Sequence, residues 1–193
     1  MVMPAATPPS PFRWTRAMLE ALPDDRQRHE LIDGEHCVTP SPAPLHQRVV
    51  TSLLVALAHY VAVEKLGWAV PAPSDIALAE DTIVQPDIAV FASHGRPPSE
   101  SWADAGLPIL VVEVISPSSA SRDRILKRHR YQRARIAEYW IVDPDSRLVE
   151  RWRPDDERPE IVTESPRWLP DGAASELAIA LHTIFELVAP DQR

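Results

Sequence analysis

The chain has 193 residues, 45% of them hydrophobic, which suits one globular domain with a sizeable core and excludes a disordered or low-complexity protein. It contains no apolar run long enough for a membrane span. The start MVMPAATPPSPF lacks the basic flank and apolar segment of a secretory signal, so a cytoplasmic location with no membrane partner is expected. A net charge of −8 argues against a generic nucleic-acid coat, and the single cysteine, Cys37, excludes an internal disulfide or a multi-cysteine zinc site and reads as a buried spectator thiol.

Residues 1–13 read as a flexible, proline-rich tail and residues 14–193 as a single domain. A short helix is predicted from about Thr15 to Leu22. HELIDGEHCV follows as a hairpin whose Asp33-Gly34 pair supplies the positive φ angles of a two-residue turn. TPSPAP is a stop. From Leu45 to about Leu66 the spacing is helical, with Val50, Leu53, Leu54, Leu57 and Val61 as the apolar stripe and Gly67 placed to end it.

Strands are predicted around Trp68–Leu78, Ile83–Phe91 and Ile109–Ser116, then a helix from about Ser121 to Arg135, then EYWIVD as a further strand. This order implies an α/β fold with a mixed central β-sheet flanked by α-helices. The Ile109 strand, the helix and the Tyr139 strand form a right-handed crossover with parallel strands. RLVERWRP and PEIVTE suggest a hairpin, while SELAIALHTIFELV mixes strand and helix signals.

The apolar run LPILVVEVISPS raises a chemical question, because Glu113 interrupts it near the middle. A carboxylate buried there without a partner costs several kcal/mol, so it is paired, protonated, metal-bound or open to solvent. Upstream, TIVQPDIAVF places Asp87 in a second strand-like run, after a proline that marks an edge or a distortion. Alternation puts Gln85, Asp87 and Ala89 on one face, and Val111, Glu113 and Ile115 on one face of the other strand. Paired in a suitable register, the two carboxylates converge, and hard oxygen ligands of this kind suit magnesium or manganese.

Stepping 100° per residue, Asp123, Leu126, Lys127, Ala134 and Ala137 share the inward arc of the helix, while Arg124, Arg128, Gln132 and Arg135 fall on the other side. Lys127 therefore points toward the C-terminal end of the Glu113 strand, where sites collect in such sheets. Residues 122–135 carry a local charge of +6, enough to steer an anion although the whole chain is acidic. Plainer readings exist for each residue: an Arg partner for Glu113, a strand-end cap for Asp87, a surface helix pair for Asp123 and Lys127. His46, near the start of the long helix, is open to lining a site but reads first as an ordinary polar residue, Ser119 and Ser121 read as helix caps, Trp140 as core, and Tyr131 as a structural neighbour of Lys127.

HELIDGE, QPDIAVF, LVVEVISPS and RDRILKRHRYQRARIAEYWIVDP, at these separations, resemble the Uma-two family of endonucleases, a branch of the PD-(D/E)XK nuclease superfamily. The resemblance implies a restriction-endonuclease-like fold, with Asp87 as the Asp of the PD element and Glu113 as the acidic residue of the (D/E)XK element. Ile115 stands where the superfamily lysine would fall, which makes Lys127 the replacement, and Glu30 is drawn in as an additional acidic site residue. The expectation is a magnesium- or manganese-dependent endonuclease acting on DNA. Asp87 and Glu113 would hold the metal, Lys127 would stabilise charge, and Arg124, Arg128 and Arg135 would meet the nucleic acid. Cutting both strands with one site per chain suggests a homodimer. The alternative is a catalytically silent interaction or accessory protein that keeps the fold.

Overall fold

The computed structural model describes residues 12–25, 27–39, 41–93 and 102–186. The tail expected over residues 1–13 falls almost entirely outside them.

A short helix, α1 (Arg16–Glu20), is capped by the Thr15 side chain, which accepts from the Met18 N–H. The hairpin forms as expected from β1 (Arg28–Ile32) and β2 (Glu35–Thr39). Ile32 pairs with Glu35, and Asp33 and Gly34 take φ of 57° and 76°, the two positive angles of a tight hairpin turn. Helix α2 (Pro44–Val63) starts on a proline, whose missing N–H would have had no helical partner anyway. Its buried face is Val49, Val50, Leu53, Leu57, Tyr60 and Val61, close to the expected stripe, although Leu54 lies only partly inside.

Gly67 does not end that helix. Lys65 takes the left-handed turn instead, at φ 56°, and Gly67 opens strand β3 (Gly67–Pro71). There a Cβ would lie 1.8 Å from the Phe91 carbonyl oxygen, so the glycine serves close backbone approach between strands rather than a helix stop.

The next two predicted strands are each broken in two. Trp68–Leu78 becomes β3 and β4 (Ile76–Ala79), and Ile83–Phe91 becomes β5 (Thr82–Val84) and β6 (Ile88–Ala92). The halves belong to different sheets. β4 and β5 join the hairpin in a four-stranded sheet of order β2-β1-β5-β4, while β3 and β6 enter a six-stranded sheet. Asp87 consequently lies just before β6 rather than inside a strand. Pro86, which cannot donate a ladder bond, marks the place where the chain changes sheets.

After a helical turn, α3 (Trp102–Ala105), come β7 (Leu110–Val114), a π-helical segment (Arg122–Lys127), α4 (Arg128–Arg133) and β8 (Glu138–Asp143). β7 and β8 pair in parallel, as the crossover requires. β9 (Leu148–Trp152) and β10 (Glu160–Val162) form the expected antiparallel hairpin. The large sheet is mixed, in the order β10-β9-β8-β7-β6-β3. β11 (Arg167–Trp168) and β12 (Leu177–Ala178) make a separate pair, and α5 (Leu181–Glu186) follows.

Alternation along β7 sorts its side chains between two cores. Leu110, Val112 and Val114 pack with α2, α5 and Trp140, whereas Val111 and Ile115 face Tyr131, Tyr139 and residues Ile32, Ile76 and Val84 of the small sheet. Glu113 shares the second direction and is directed between the two sheets. Among the described residues no helix is long and apolar enough to cross a membrane.

Gly67→Ala tests the close approach. A methyl group forced against the Phe91 carbonyl should destabilise the β3–β6 pairing by about 1–3 kcal/mol, read as a lowered urea midpoint. An unchanged midpoint would mean that the strands separate there without cost.

Candidate active site

β6 and β7 run antiparallel with Ile88 opposite Val112, so one further step sets Asp87 opposite Glu113. Both are buried, at 3% and 2% exposure, and both line one cavity of about 220 Å³. The convergence expected from alternation therefore occurs, through a pairing that sequence alone left open.

Lys127 is 2% exposed, and its Nζ lies 2.8 Å from Glu113 Oε1, 2.7 Å from Glu30 Oε1 and 3.7 Å from Asp123 Oδ1. Tyr131 donates its hydroxyl to Glu113 Oε1 at 3.2 Å, and the Gln85 N–H donates to Glu30 Oε1 at 2.8 Å. The pair Asp123 and Lys127 is thus a buried part of the site and not a solvated surface pair. Glu30 Oε2 and Asp123 Oδ1 are buried without a hydrogen-bond partner.

Asp123, Lys127 and Tyr131 are spaced by four and are all buried. On a regular α-helix each step of four drifts about 40° round the axis, since successive residues are about 100° apart. The wider turns of the π-helical segment reduce that drift and hold all three on the inner face. Leu126, expected inward, is 41% exposed for the same reason. Ser121 makes no capping bond, while the Ser119 hydroxyl accepts from the Ser116 N–H at 3.1 Å.

Asp87 is held differently. Its Oδ1 accepts from Arg28 Nη1 at 2.9 Å, and its Oδ2 faces His46 Nε2 at 3.1 Å and accepts from the Val114 N–H at 2.8 Å. Burial pushes the Asp87 pKa up, but His46, Arg28 and the Val114 amide outweigh it and the carboxyl is held below its usual range. Burial dominates at Glu113. Lys127 opposes it, but Asp123, Asp87 and Glu30 add repulsion, and the pKa is pushed up to about 8. Asp123 is raised for the same reason, burial first. Lys127 stays charged: burial pulls it down, but Glu113, Glu30 and Asp123 together hold it above its ordinary value.

Arg28, His46 and Arg122 also line the cavity, alongside Thr39, Ser41, Ser116, Ser118 and Ser119. None of these three is among the catalytic or metal-binding residues expected from the sequence. A signal for Arg28 exists in its position two before Glu30 on β1, which puts both on one face. His46 lies three, four and seven residues before Val49, Val50 and Leu53, so it continues the buried stripe of α2.

Arg124, Arg128 and Arg135 do not line the cavity. Arg124 pairs with Glu150 at 2.6 Å and Asp143 at 3.0 Å, Arg128 lies 4.5 Å over the Trp152 ring, and Arg135 pairs with Asp155 at 2.5 Å. Cys37 is half-buried, and burial raises its thiol pKa, in keeping with an unreactive side chain.

Two sheets enclosing a lysine among carboxylates, beside a parallel β-helix-β crossover, define a restriction-endonuclease-like α/β domain. The fold matches a crystal structure described as "a putative nuclease belonging to DUF820" from Anabaena variabilis, with a TM-score of 0.72 and 21% identity, over 91% of this chain and 99% of that one. The family model Uma2, described as "Putative restriction endonuclease", matches residues 16–182, and the chain belongs to that family. No curated protein matches it.

The raised carboxyls carry a pH signature. In the metal-free protein Glu113 holds its proton more tightly folded than unfolded, so its contribution to stability declines as pH rises from about 4.5 toward 8 and levels off above. Asp123 acts in the same direction. Asp87, lowered by its partners, acts only in acid, where its contribution is lost as pH falls below its ordinary value of 3.8. Urea unfolding in EDTA should therefore show stability falling between those limits, and Glu113→Gln should flatten the fall. An identical profile for the variant would show that Glu113 titrates normally.

Proposed function

We propose that the protein is a metal-dependent endonuclease that hydrolyses phosphodiester bonds in DNA, with Asp87 and Glu113 holding a magnesium or manganese ion and Lys127 and Glu30 completing the catalytic group. The carrying observation is the buried Lys127 ammonium. It arrives from the helix at the acidic residue of the β7 strand, supplying the cation that Ile115 cannot.

The donor chemistry fits a hard divalent ion. Three carboxyl side chains converge on one ammonium with Asp87 opposite Glu113, two of their oxygens are buried without a donor, and Glu113 is raised to about 8. No group of three His, Cys, Asp or Glu stands in metal-holding geometry among the described residues. One physical reason is that both Asp87 oxygens are occupied by donors, so Asp87 must give up a hydrogen bond to ligate. A cation bound there supplies the positive charge that polarises the phosphoryl group and acidifies water.

The remaining roles fall to the chain's own groups. Lys127, charged and fixed by Glu30 and Glu113, has one donor left to orient the attacking water or stabilise charge growing on the phosphorane oxygens. Tyr131 fixes the rotamer of Glu113 through its hydroxyl, and Arg28 and His46 orient Asp87. A silent scaffold is the competing reading, and the isoleucine at 115 favours it. Lys127 weakens that reading, because a scaffold has no need to carry a replacement lysine to the same carboxylate.

Glu113→Gln separates the two. The neutral isostere mimics the protonated carboxyl that Glu113 carries below about 8 in the metal-free protein, so the melting temperature in EDTA at neutral pH should hold, while plasmid cleavage in magnesium and the melting-temperature rise with manganese should both disappear. Cleavage at the wild-type rate would remove Glu113 from the reaction.

Lys127→Met behaves differently from a simple catalytic knockout. It strands three buried carboxylates, and removing one partner of a buried ion pair costs about 3–5 kcal/mol, so a large loss of unfolding free energy should accompany the loss of cleavage. A variant as stable as the wild type would show that water enters and solvates those carboxylates.

A further inference from the structure

Arg122 is the cavity cation that no carboxylate holds. Arg28 is paired with Asp87 and Lys127 with Glu113, whereas no ion pair engages Arg122 among the described residues. It donates from Nη2 to Thr39 Oγ1 at 2.9 Å and lies beside the Cys37 thiol, and its Nε is buried with no hydrogen-bond partner. The neighbouring Asp123 is directed at Lys127 instead.

A guanidinium half-withdrawn from water, lining a cavity with no carboxylate paired to it, is favourably completed by an anion at its cavity-facing N–H groups. The same cavity wall presents hydroxyls, with Ser116 Oγ and Ser118 Oγ 3.1 Å apart. A planar cation and a cluster of hydroxyls lining one cavity match the oxygens of a phosphate, toward which Ser116 and Ser118 can turn from the bonds they make to each other and to Ser119. The deeper wall carries Asp87, Glu113 and Asp123, which repel an anion unless a cation intervenes. At about 220 Å³ the cavity falls below the roughly 300–1,000 Å³ of drug-sized ligand sites, and it suits a phosphate projecting inward from a strand laid across the opening.

We infer that Arg122, with the Ser116 and Ser118 hydroxyls, binds a backbone phosphate of the substrate strand next to the phosphodiester that is cut. The inference rests on the nuclease reading above. Arg122 is thereby a binding and positioning residue in the cavity, where Arg124 and Arg135, paired with carboxylates, and Arg128, stacked on Trp152, do not reach.

The test measures equilibrium binding of a short fluorescent duplex to the wild-type protein, with calcium as the hard divalent ion in place of magnesium, across a salt series, with and without Arg122→Gln. Loss of one charge-assisted phosphate contact should lower affinity about tenfold and make the slope of log affinity against log salt shallower by about 0.9. Arg122→Lys, which keeps the charge, should restore the slope. Arg122→Met carries the same expectation as the glutamine variant should that variant not fold. If the folded wild-type protein binds no duplex in calcium, the nuclease reading falls and the inference with it. If it binds, and loss of Arg122 changes neither affinity nor slope, the inference alone is overturned.

Discussion

An ammonium group taken out of water must find acceptors, and Lys127 finds them on three elements that are remote in sequence: Glu30 on β1, Glu113 on β7 and Asp123 on the π-helical segment. The contact joins the small sheet, the large sheet and the crossover helix at one point. The apolar residues around it, Ile32, Ile76 and Val84 from one sheet and Val111, Ile115 and Ile141 from the other, exclude the water that would otherwise solvate these charges. An ion pair between Arg130 and Asp33 fastens the hairpin tip to α4 at the edge of the same contact. Packing and electrostatics therefore impose the same placement of the small sheet.

The rest of the site follows from how the chain enters that contact. Passing from β5 to β6 it leaves the small sheet and joins the large one, and the change at Pro86 delivers Asp87 to the mouth of the β6–β7 pair, opposite Glu113. The parallel β7–β8 pairing requires a connection across the sheet, and that connection carries Lys127 and Arg122. A helix with regular turns would spread Asp123, Lys127 and Tyr131 over about 80°, a spread that the wider turns narrow. The π-helical segment is thus as much a part of the site as the residues it carries.

Much of this was legible in the sequence wherever a local rule governs. Asp33-Gly34 specified its own turn, the α2 stripe followed from period, and a glutamate inside LVVEV announced an unusual partner. What was not legible depended on non-local geometry. No local signal distinguishes a strand that continues from one that breaks between two sheets, so Trp68–Leu78 and Ile83–Phe91 read as unbroken. The helical wheel assumed 100° per residue and therefore placed Leu126 inward, where the wider turns leave it exposed. Gly67 occupies a plausible helix-stop position, but its role is set by the Phe91 carbonyl of a strand that pairs with it from 24 residues away. Arg122 and His46 were undervalued because the cavity that unites them is made by β2, α2 and the π-helical segment together.

The inequality of the two central carboxyls is a consequence of their partners rather than of burial, which both share. Asp87 receives a guanidinium, an imidazole and a backbone N–H, and its proton is released early. Glu113 shares a single ammonium with Glu30 and Asp123, and it keeps its proton to about 8. Two neighbouring carboxyls whose pKa values are pushed apart need not carry full charge at the same pH, which is what allows them to stand opposite each other. Apolar side chains of similar volume would satisfy the fold with less strain, since buried ion pairs rarely add net stability over hydrophobic packing. Stability therefore does not account for a group with more carboxyls than cations. On the metal-dependent reading proposed above, a cation held by Glu113 would displace a proton and relieve repulsion among these carboxyls.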